Sequence, residues 1–392
     1  MMKRFLVFFT VVALCLPASA EGGKGGFLKK VGTFIDSMSV RGLDRRYIDM
    51  PEKPWQLILQ GDINQSDLKM TAVLDGNEMF FDDWGDINWE PRIKTKLSTY
   101  TGVWAGSRGY GIGYSRNINK DEGSILKFRA MGGCYGLNLR IHKFHTNEPS
   151  VHISGYMPTW DEDTQNYYLF DPINVRLLTF DGYYLFNGKH FSYAAAYDQS
   201  VIQKHSAGSF MAGLMYYHST ISYDDGLNAD FIMFMNDIGK FKQYQVSAGG
   251  GYAYNFVPCK GLLISGIGML MLTGYNRLDV WRYNSNLRIE AIKERKNPQG
   301  ISEEDVDYDW DEDEIIEMIN QYYSVWPMEK DNHITKYSKI IPVIDARLSI
   351  TYNVGNWFFN TNTQLNNFRF KHHQNKGSLT DWYVNFSVGL RL

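Results

Sequence analysis

The last eleven residues of the chain alternate between apolar and polar positions almost without exception. One side of an extended strand would carry Trp382, Val384, Phe386, Val388, Leu390 and Leu392. After Tyr383, the other side would carry Asn385, Ser387, Gly389 and Arg391. Because successive side chains of a strand point to opposite faces, one face of this strand is apolar and the other polar. Such a strand fits a half-buried soluble sheet, or a membrane barrel with lipid outside and water inside.

Two upstream strands repeat this pattern. In the first, Ile344, Ala346, Leu348, Ile350, Tyr352 and Val354 face one way, while Asp345, Arg347, Ser349, Thr351 and Asn353 face the other. The second opens with Trp357 and Phe359 and then places Asn360, Asn362, Gln364 and Asn366 on one side. A dry core would have to pair these polar groups one by one, whereas a wet lumen accepts them. The pattern therefore favours a membrane barrel over a soluble sandwich with a solvated polar face.

Strand-like segments recur along the chain and predict an all-β fold, an antiparallel transmembrane β-barrel of about 12 strands. The segments are 55–63, 95–105, 109–117, 124–143, 175–186, 190–200, 209–222, 241–256, 261–275, 341–354, 357–370 and 379–392. An even number suits bacterial barrels and leaves both termini at the periplasmic end. Segment 144–174 then becomes a long periplasmic connection. If Gly132-Gly133 is a turn and 151–156 an extra strand, the count is 14 and that connection moves outside.

The first 50 residues have a different pattern. Two basic residues precede an apolar run over 5–16 and a small-residue motif ending at Ala20, which predicts a signal peptide cleaved after Ala20. Residues 21–50 read as a periplasmic leader, whose apolar residues at helical spacing predict a short N-terminal amphipathic helix. Residues 51–392 would form the barrel, with a long insertion at 276–340. Export combined with a closed sheet predicts the outer membrane as the location.

Charge and hydropathy narrow the choice of partners. The mature chain has a formal charge of about minus five, which argues against a nucleic-acid partner because phosphate binding needs a basic surface. No apolar run after the signal reaches the ~20 residues of a membrane-spanning helix. The expected partners are outer-membrane lipid, the barrel-assembly machinery and an unidentified small-molecule or lipid ligand.

The long insertion combines an acidic run with an apolar stripe. Segment 302–317 is dense in carboxylates that could collect Ca²⁺, but it lacks the glycine and terminal pattern of a calcium-binding loop, which favours a solvated charge run. The following residues predict a helical stripe, so that the extracellular loop would be partly helical. We expect this helix to fold over the barrel mouth as a lid, with Ile315, Ile319, Tyr322, Tyr323 and Trp326 as its apolar contacts.

Motifs for catalysis and metal binding are weak. The sequence contains nine histidines, but it has no Gly-x-Ser-x-Gly elbow, no His-Glu-x-x-His motif and no phosphate-binding glycine loop. Cys134 and Cys259 remain after removal of the signal and are compatible with one disulfide or two free thiols. The sequence therefore names no catalytic residue, metal ligand or cofactor.

Three charged residues on the predicted inner face are candidate lumen residues: Asp345, Arg347 and Arg391. Charged side chains set selectivity in pores, so one hypothesis is that Arg347 and Arg391 tune what passes or binds while 276–340 gates the outer mouth. The alternative is a salt-bridged network that fills a narrow barrel. The favoured function is a porin-like channel or transporter for a small or lipidic molecule. A phospholipase-like or protease-like barrel enzyme, and a structural or adhesive barrel, stay as alternatives.

Several stretches also resemble a known family. They are Val40–Ile48, Pro51–Trp55, Glu90–Thr95, Arg108–Tyr114, Tyr135–Arg140 and Phe191–Ala196. The chain resembles an uncharacterised family of secreted Bacteroidota proteins that carries a domain-of-unknown-function label. This resemblance covers most of the mature chain and implies an outer-membrane-type barrel. It implies no activity, substrate or catalytic residue.

Overall fold

The fold is known from a computed structural model. It describes residues 42–75, 86–89, 92–119, 123–146, 150–152, 164–166, 172–223, 232, 238–283, 330–338, 340–372 and 375–392. The predicted signal peptide, the N-terminal amphipathic helix, the acidic run and the five lid candidates lie outside the described residues. Among the described residues, no helix has the length and apolar character that spanning a membrane requires.

The described elements are almost all strands. In chain order they are β1 (Ile48–Asp49), β2 (Trp55–Asp75), β3 (Asp86–Trp89), β4 (Arg92–Lys94), β5 (Ser98–Ser107), β6 (Tyr110–Asn117), β7 (Ser124–Met131), β8 (Tyr135–Thr146), β9 (Ser150–His152), β10 (Thr164–Asn166), β11 (Ile173–Leu185), α1 (Tyr193–Tyr197), β12 (Ile202–Gln203), β13 (Ala207–Ser222), β14 (Ile238–Cys259), β15 (Leu262–Tyr283), β16 (Lys330–Tyr337), β17 (Pro342–Val354), β18 (Trp357–His372) and β19 (Asn375–Arg391).

Twelve of these strands close an antiparallel barrel. The wall runs β2, β5, β6, β7, β8, β11, β13, β14, β15, β17, β18, β19 and back to β2. The last strand pairs with the first over sixteen positions, from Lys376 opposite Thr71 to Arg391 opposite Gln56. Closure leaves no exposed edge in the wall, since each wall strand has a neighbour on both sides. The short strands β3, β4, β9, β10 and β16 extend the sheet at one end.

The predicted number of wall strands, twelve, is confirmed, but two of the predicted segments are wrong. Their effects on the strand count cancel. Segment 124–143 is not one strand, because Gly132 and Gly133 lie in the turn that joins β7 to β8. Segment 190–200 is not a wall strand, because its centre forms the short helix α1. Splitting one segment and losing another leaves the total at twelve. Since the turn adds a crossing of the wall, segment 144–174 joins β8 to β11 at the end opposite the termini, and not at the end of the termini as the twelve-strand prediction placed it.

The two faces of the wall differ as the alternation predicts. On β17 the outward residues Ile344, Leu348 and Ile350 are more than half exposed, whereas the inward residues Asp345 and Arg347 are buried. On β14 the outward apolar and small residues extend from Phe256 up to Val246. Ten residues at about 3.3 Å each, on a strand tilted by about 40°, make this band roughly 25 Å tall. That height matches the hydrocarbon layer of an outer membrane.

The two ends of the barrel are built differently. Near the termini the wall strands are joined by short turns at Arg108 and Gly109, at 132–134, at Lys260 and Gly261 and at Gly355 and Asn356, with the segment between β11 and β13 as the exception. Most connections at the other end, which we call the loop end, are longer, although those from β6 to β7 and from β18 to β19 are short. The long segment between β11 and β13 turns inward, as described next.

Candidate functional site: the filled interior

The segment between β11 and β13 occupies the inside of the barrel near the termini. We call residues 186–206 the plug. Its helix α1 begins after Ser192, whose side-chain oxygen accepts a hydrogen bond from the Ala195 amide at 3.2 Å, as serine does at helix N-caps. The helix contains three consecutive alanines, and all five of its residues are buried. A short helix of small residues fits inside a barrel whose strands carry larger side chains.

The C-terminal end of α1 is fastened to the wall by its backbone carbonyls. The oxygen of Ala196 accepts hydrogen bonds from the Ser349 hydroxyl at 2.7 Å and the Asn360 amide at 3.0 Å. Arg129 donates to the Tyr197 carbonyl at 2.6 Å. Carbonyls in the last turn of a helix lack partners within the helix and carry partial negative charge, so they suit cationic and amide donors. The plug is therefore held by residues from β7, β17 and β18.

The side chain of one glutamine, Gln203, connects three residues of the plug by hydrogen bonds. The Gln203 side chain accepts a hydrogen bond from the Ser192 amide at 2.9 Å and donates to the His190 and His205 carbonyls at 2.6 and 2.9 Å. Its strand β12 pairs with β1, which places Ile48 opposite Gln203. The described residues preceding the wall thus pack against the plug at the end where the barrel begins.

On the loop-end side of the plug, three ion pairs cross the lumen. Lys127 on β7 meets Asp62 on β2 at 2.6 Å, Arg140 on β8 meets Asp381 on β19 at 3.4 Å, and Arg347 on β17 meets Asp181 on β11 at 3.2 Å. The two strands of each pair are not neighbours in the wall. We call these six residues together with Asp345 the charged tier. All seven lie mostly or wholly out of solvent, so the three cations and four aspartates are stabilised by one another and by neighbouring polar side chains rather than by water.

The three candidate lumen residues lie inside the barrel, in two places. Arg347 contacts Asp345 at 2.6 Å and donates to the Tyr193 hydroxyl of the plug at 2.6 Å. Arg391 lies near the termini, where it donates to the Gln199 carbonyl of the plug at 2.8 Å and stacks over the Phe358 ring at 4.8 Å. Asp345 and Arg347 act as a pair, while Arg391 contacts neither of them directly. All three hold or neighbour the plug.

Toward the loop end the interior becomes apolar. Phe368 of β18 stacks on Tyr217 of β13 across the lumen, with ring centroids 3.6 Å apart. The residues of this apolar tier are Leu68, Ile93, Phe144, Ile173, Val175, Leu177, Tyr217, Ile221, Phe241, Phe368, Phe370 and Leu379. They belong to the same inward faces that carry polar groups nearer the termini, as Asn366 and Phe368 do on β18. The wet lumen expected from the polar faces is therefore not present in the described part of the barrel.

Little free space is left between these layers. A cavity of 40 Å³ lies in the charged tier, bounded by Arg140, Arg347, Tyr193 and Tyr383 among others. A second cavity of 20 Å³, lined mainly by apolar side chains, lies in the apolar tier beside Phe144 and Leu379. The first has room for a few ordered water molecules. Neither is wide enough to pass a solute. Most inward polar side chains of the described wall are hydrogen bonded to one another or to the plug, whereas the side-chain amide of Gln56 and two guanidinium nitrogens of Arg391 have no partner there.

Large inward rings account for several glycines of the wall. Trp104 of β5 lies against Gly111 and Gly113 of β6, where an added Cβ atom would approach the indole ring to 2.6 Å. Phe358 lies against Gly389 of β19, where the corresponding distance is 2.0 Å. The glycines therefore provide space for buried aromatic side chains, since a larger residue would force the ring to move.

The histidine and cysteine residues do not form an assembled catalytic site in the described part of the chain. His142 is buried, hydrogen bonded to the Tyr100 hydroxyl at 2.9 Å and packed on Phe144. Two free thiols lie near the termini: Cys134 in the turn between β7 and β8, and Cys259 at the end of β14. No group of three His, Cys, Asp or Glu side chains among the described residues is arranged to hold a metal ion.

One buried carboxylate in the plug is poorly compensated. No hydrogen bond of ordinary geometry reaches either oxygen of Asp198 within the described structure, although the residue is only 1% exposed. Burial raises the pKa of the Asp198 carboxyl, and the positive charge of Arg129 and a weaker contribution from the Ser200 side chain oppose this rise. Sequence reasoning missed the plug and Asp198 because 190–200 reads as strand. Its three consecutive alanines, too small for a barrel wall, are the signal that could have revealed it.

The fold and its interior define a closed, twelve-stranded antiparallel β-barrel with an apolar outer face and an interior filled by its own side chains. The chain belongs to the family described as "Domain of unknown function (DUF4421)", whose model matches residues 59–391. Among curated proteins, no relative matches the sequence.

Three solved structures illustrate the likeness to other barrels. The outer membrane protease OmpT from Escherichia coli is 9% identical, with 86% of this chain and 97% of that chain covered at a TM-score of 0.35. The translocator domain of autotransporter NalP from Neisseria meningitidis is 8% identical, with 94% of this chain and 97% of that chain covered at a TM-score of 0.31. The toluene transporter TodX of P. putida is 7% identical, with 87% of this chain and 91% of that chain covered at a TM-score of 0.26.

Proposed function

We propose that the protein is an exported outer-membrane barrel with a sealed interior, which serves as a membrane-embedded platform for the segments at its loop end. The filled interior carries this proposal, since the plug, the charged tier and the apolar tier lie in series along the barrel axis. The apolar band of about 25 Å supports insertion in a membrane. Cleavage after Ala20, an origin in Bacteroidota and the partners expected from the sequence, outer-membrane lipid and the barrel-assembly machinery, belong to the same proposal.

A channel for a small or lipidic molecule would require the plug to leave. Arg129, Ser349, Asn360 and Arg391 would then lose their hydrogen bonds to plug carbonyls. Each such donor that stays buried without a partner would make the open state less stable by roughly 1 to 3 kcal/mol. In the sealed barrel, Arg347 and Arg391 hold the plug in place and do not select a solute.

Location is tested by fractionation. We expect the mature chain in the outer-membrane fraction, extracted only by detergent, and with a different gel mobility before and after heating because the closed barrel resists unfolding. Recovery of soluble protein from the periplasm without detergent would disprove membrane insertion.

Sealing is tested by electrical recording in planar bilayers. We expect no conductance from the wild type, and steady conductance from a variant whose residues 188–205 are replaced by a glycine-serine linker. Unheated gel mobility would show that the variant barrel is still folded. A wild type that conducts as well as this variant would reject the sealed platform in favour of a channel.

A further inference from the structure

A band of basic side chains follows the outer face of five adjacent strands at the loop end. In register across β8, β11, β13 and β14, Lys143 lies opposite Arg176, Arg176 opposite Thr220, and Thr220 opposite Lys242. Adjacent strands are about 4.8 Å apart, so this row spans roughly 14 Å. Long lysine and arginine side chains from such a row can reach one bound group.

Neighbouring rings and charges complete the surface. His218 lies within electrostatic reach of Lys242, Arg176 and Asp279 and stacks on the Tyr244 ring at 4.3 Å. Lys242 lies 4.9 Å from the centre of the Trp281 ring. We call Lys143, Arg176, His218, Lys242 and Arg277 the basic band. The one carboxylate among its described neighbours, Asp279, is already bonded to Arg277 at 2.8 Å and to the Thr335 hydroxyl at 2.8 Å.

The basic band lies where each strand changes from apolar to polar. On β8 the outward residue next to Lys143 toward the termini is Ile141, and on β11 Leu178 follows Arg176. On β15 Tyr275 precedes Arg277. A charged residue directly above an apolar outer face is at the level of the lipid head groups if the barrel spans a membrane. The chemistry at that level that attracts clustered cations is phosphate.

We propose that the basic band binds the phosphate group of a lipid head group in the membrane leaflet at the loop end. The inference rests on the proposed membrane insertion and adds a specific ligand class to it. Trp281 and Tyr244 hold the cations by cation–π contact and present flat faces beside the head group. The phosphate group differs in charge and in position from the neutral acyl chains, which would cover the apolar band of the wall on the side of the termini.

The test uses full-length mature protein in nonionic detergent and titration calorimetry. The ligand is dihexanoyl phosphatidic acid, compared with dihexanoylglycerol, which has the same chains without phosphate, and with inorganic phosphate. We expect the phosphatidic acid to bind and the diacylglycerol not to bind. The double variant Lys143→Gln, Lys242→Gln should weaken binding at least about tenfold, because each lost phosphate contact removes a charge-assisted hydrogen bond.

A matched control removes two other lysines from the outer face at the loop end. Lys69→Gln with Lys376→Gln, on β2 and β19, changes the net charge equally, and we expect it to leave binding unchanged. Equal loss in both double variants would mean that net charge alone attracts the lipid and would overturn the site. Inorganic phosphate that binds as tightly as the lipid would overturn the assignment to lipid.

The chain's own acidic run, 302–317, is the competing occupant, since in the sequence it falls between β15, which carries Arg277, and β16. Lipid binding that appears only after deletion of 302–317 would overturn the proposal in favour of that segment. Heat-modifiable gel mobility of each variant reports membrane-barrel folding separately. A wild type that keeps this mobility but does not bind the phosphatidic acid would therefore count against the basic band and not against the barrel.

Discussion

The charged tier and the apolar tier close the same barrel by opposite means. In the charged tier, Lys127, Arg140 and Arg347 each meet an aspartate across the lumen. In the apolar tier, rings such as Tyr217 and Phe368 meet face to face. Buried ion pairs add little net stability but are costly to break, whereas apolar contacts stabilise in proportion to the area they bury. The comparison indicates that the charged tier fixes the arrangement and the apolar tier contributes more of the net stability.

The largest effect is expected from breaking the charged tier. Arg347→Ala leaves Asp345 and Asp181 buried without their cation and should lower the free energy of unfolding by about 3 to 5 kcal/mol. Urea unfolding of the detergent-folded barrel measures this loss. The double variant Asp345→Ala, Arg347→Ala should lose less than the sum of the two single changes. Additive losses would mean that the two residues do not act as a pair.

A smaller effect is expected from the apolar tier. Leu379→Ala should cost about 2 to 5 kcal/mol, because the removed methyl groups leave a cavity in a closed interior. Leu348→Ala is the control, since Leu348 is 60% exposed on the outer face and its loss leaves no enclosed cavity. Equal losses in urea unfolding for the two variants would contradict a closed apolar tier.

The smallest effect is a gain in stability within the plug. The pKa of Asp198 is raised in the folded barrel, so folding favours the protonated form, and the resulting destabilisation grows as pH rises above the unfolded-state pKa. Asp198→Asn should therefore stabilise the barrel at pH 7, by less than either loss described above. The gain should shrink on acidification and vanish below about pH 4. A gain independent of pH would show that Asp198 titrates normally.

Much of the wall could be predicted from sequence because lipid and interior impose opposite requirements on alternate residues. The inward assignment of Asp345, Arg347 and Arg391 needed only the period of two. The charged tier could not be predicted, since its partners Asp62, Asp181 and Asp381 lie on distant strands and only closure brings them together. Phe368 and Phe370 are the sequence signal for the apolar tier, because they follow the polar residues of β18 on the same face.

The plug escaped prediction for a physical reason. Segment 190–200 is apolar enough for a wall strand, but its register places Ala194, Ala195 and Ala196 where lipid-facing strands usually carry larger residues. Its helix is short and depends on a wall that supplies donors from Ser349, Asn360 and Arg129. Local propensity alone cannot stabilise a helix of five residues.

The sealed interior is tested most directly by the accessibility of the plug. Ala196→Cys, in a background with Cys134→Ser and Cys259→Ser, would be treated with a membrane-impermeant maleimide in the folded, detergent-solubilised barrel. A separate Cys134→Ser variant provides the exposed thiol of Cys259 as the positive control. We predict that Cys259 is labelled at once and that the thiol at position 196 is labelled only after heating unfolds the barrel. Rapid labelling of position 196 in the folded barrel would contradict a plug packed inside it.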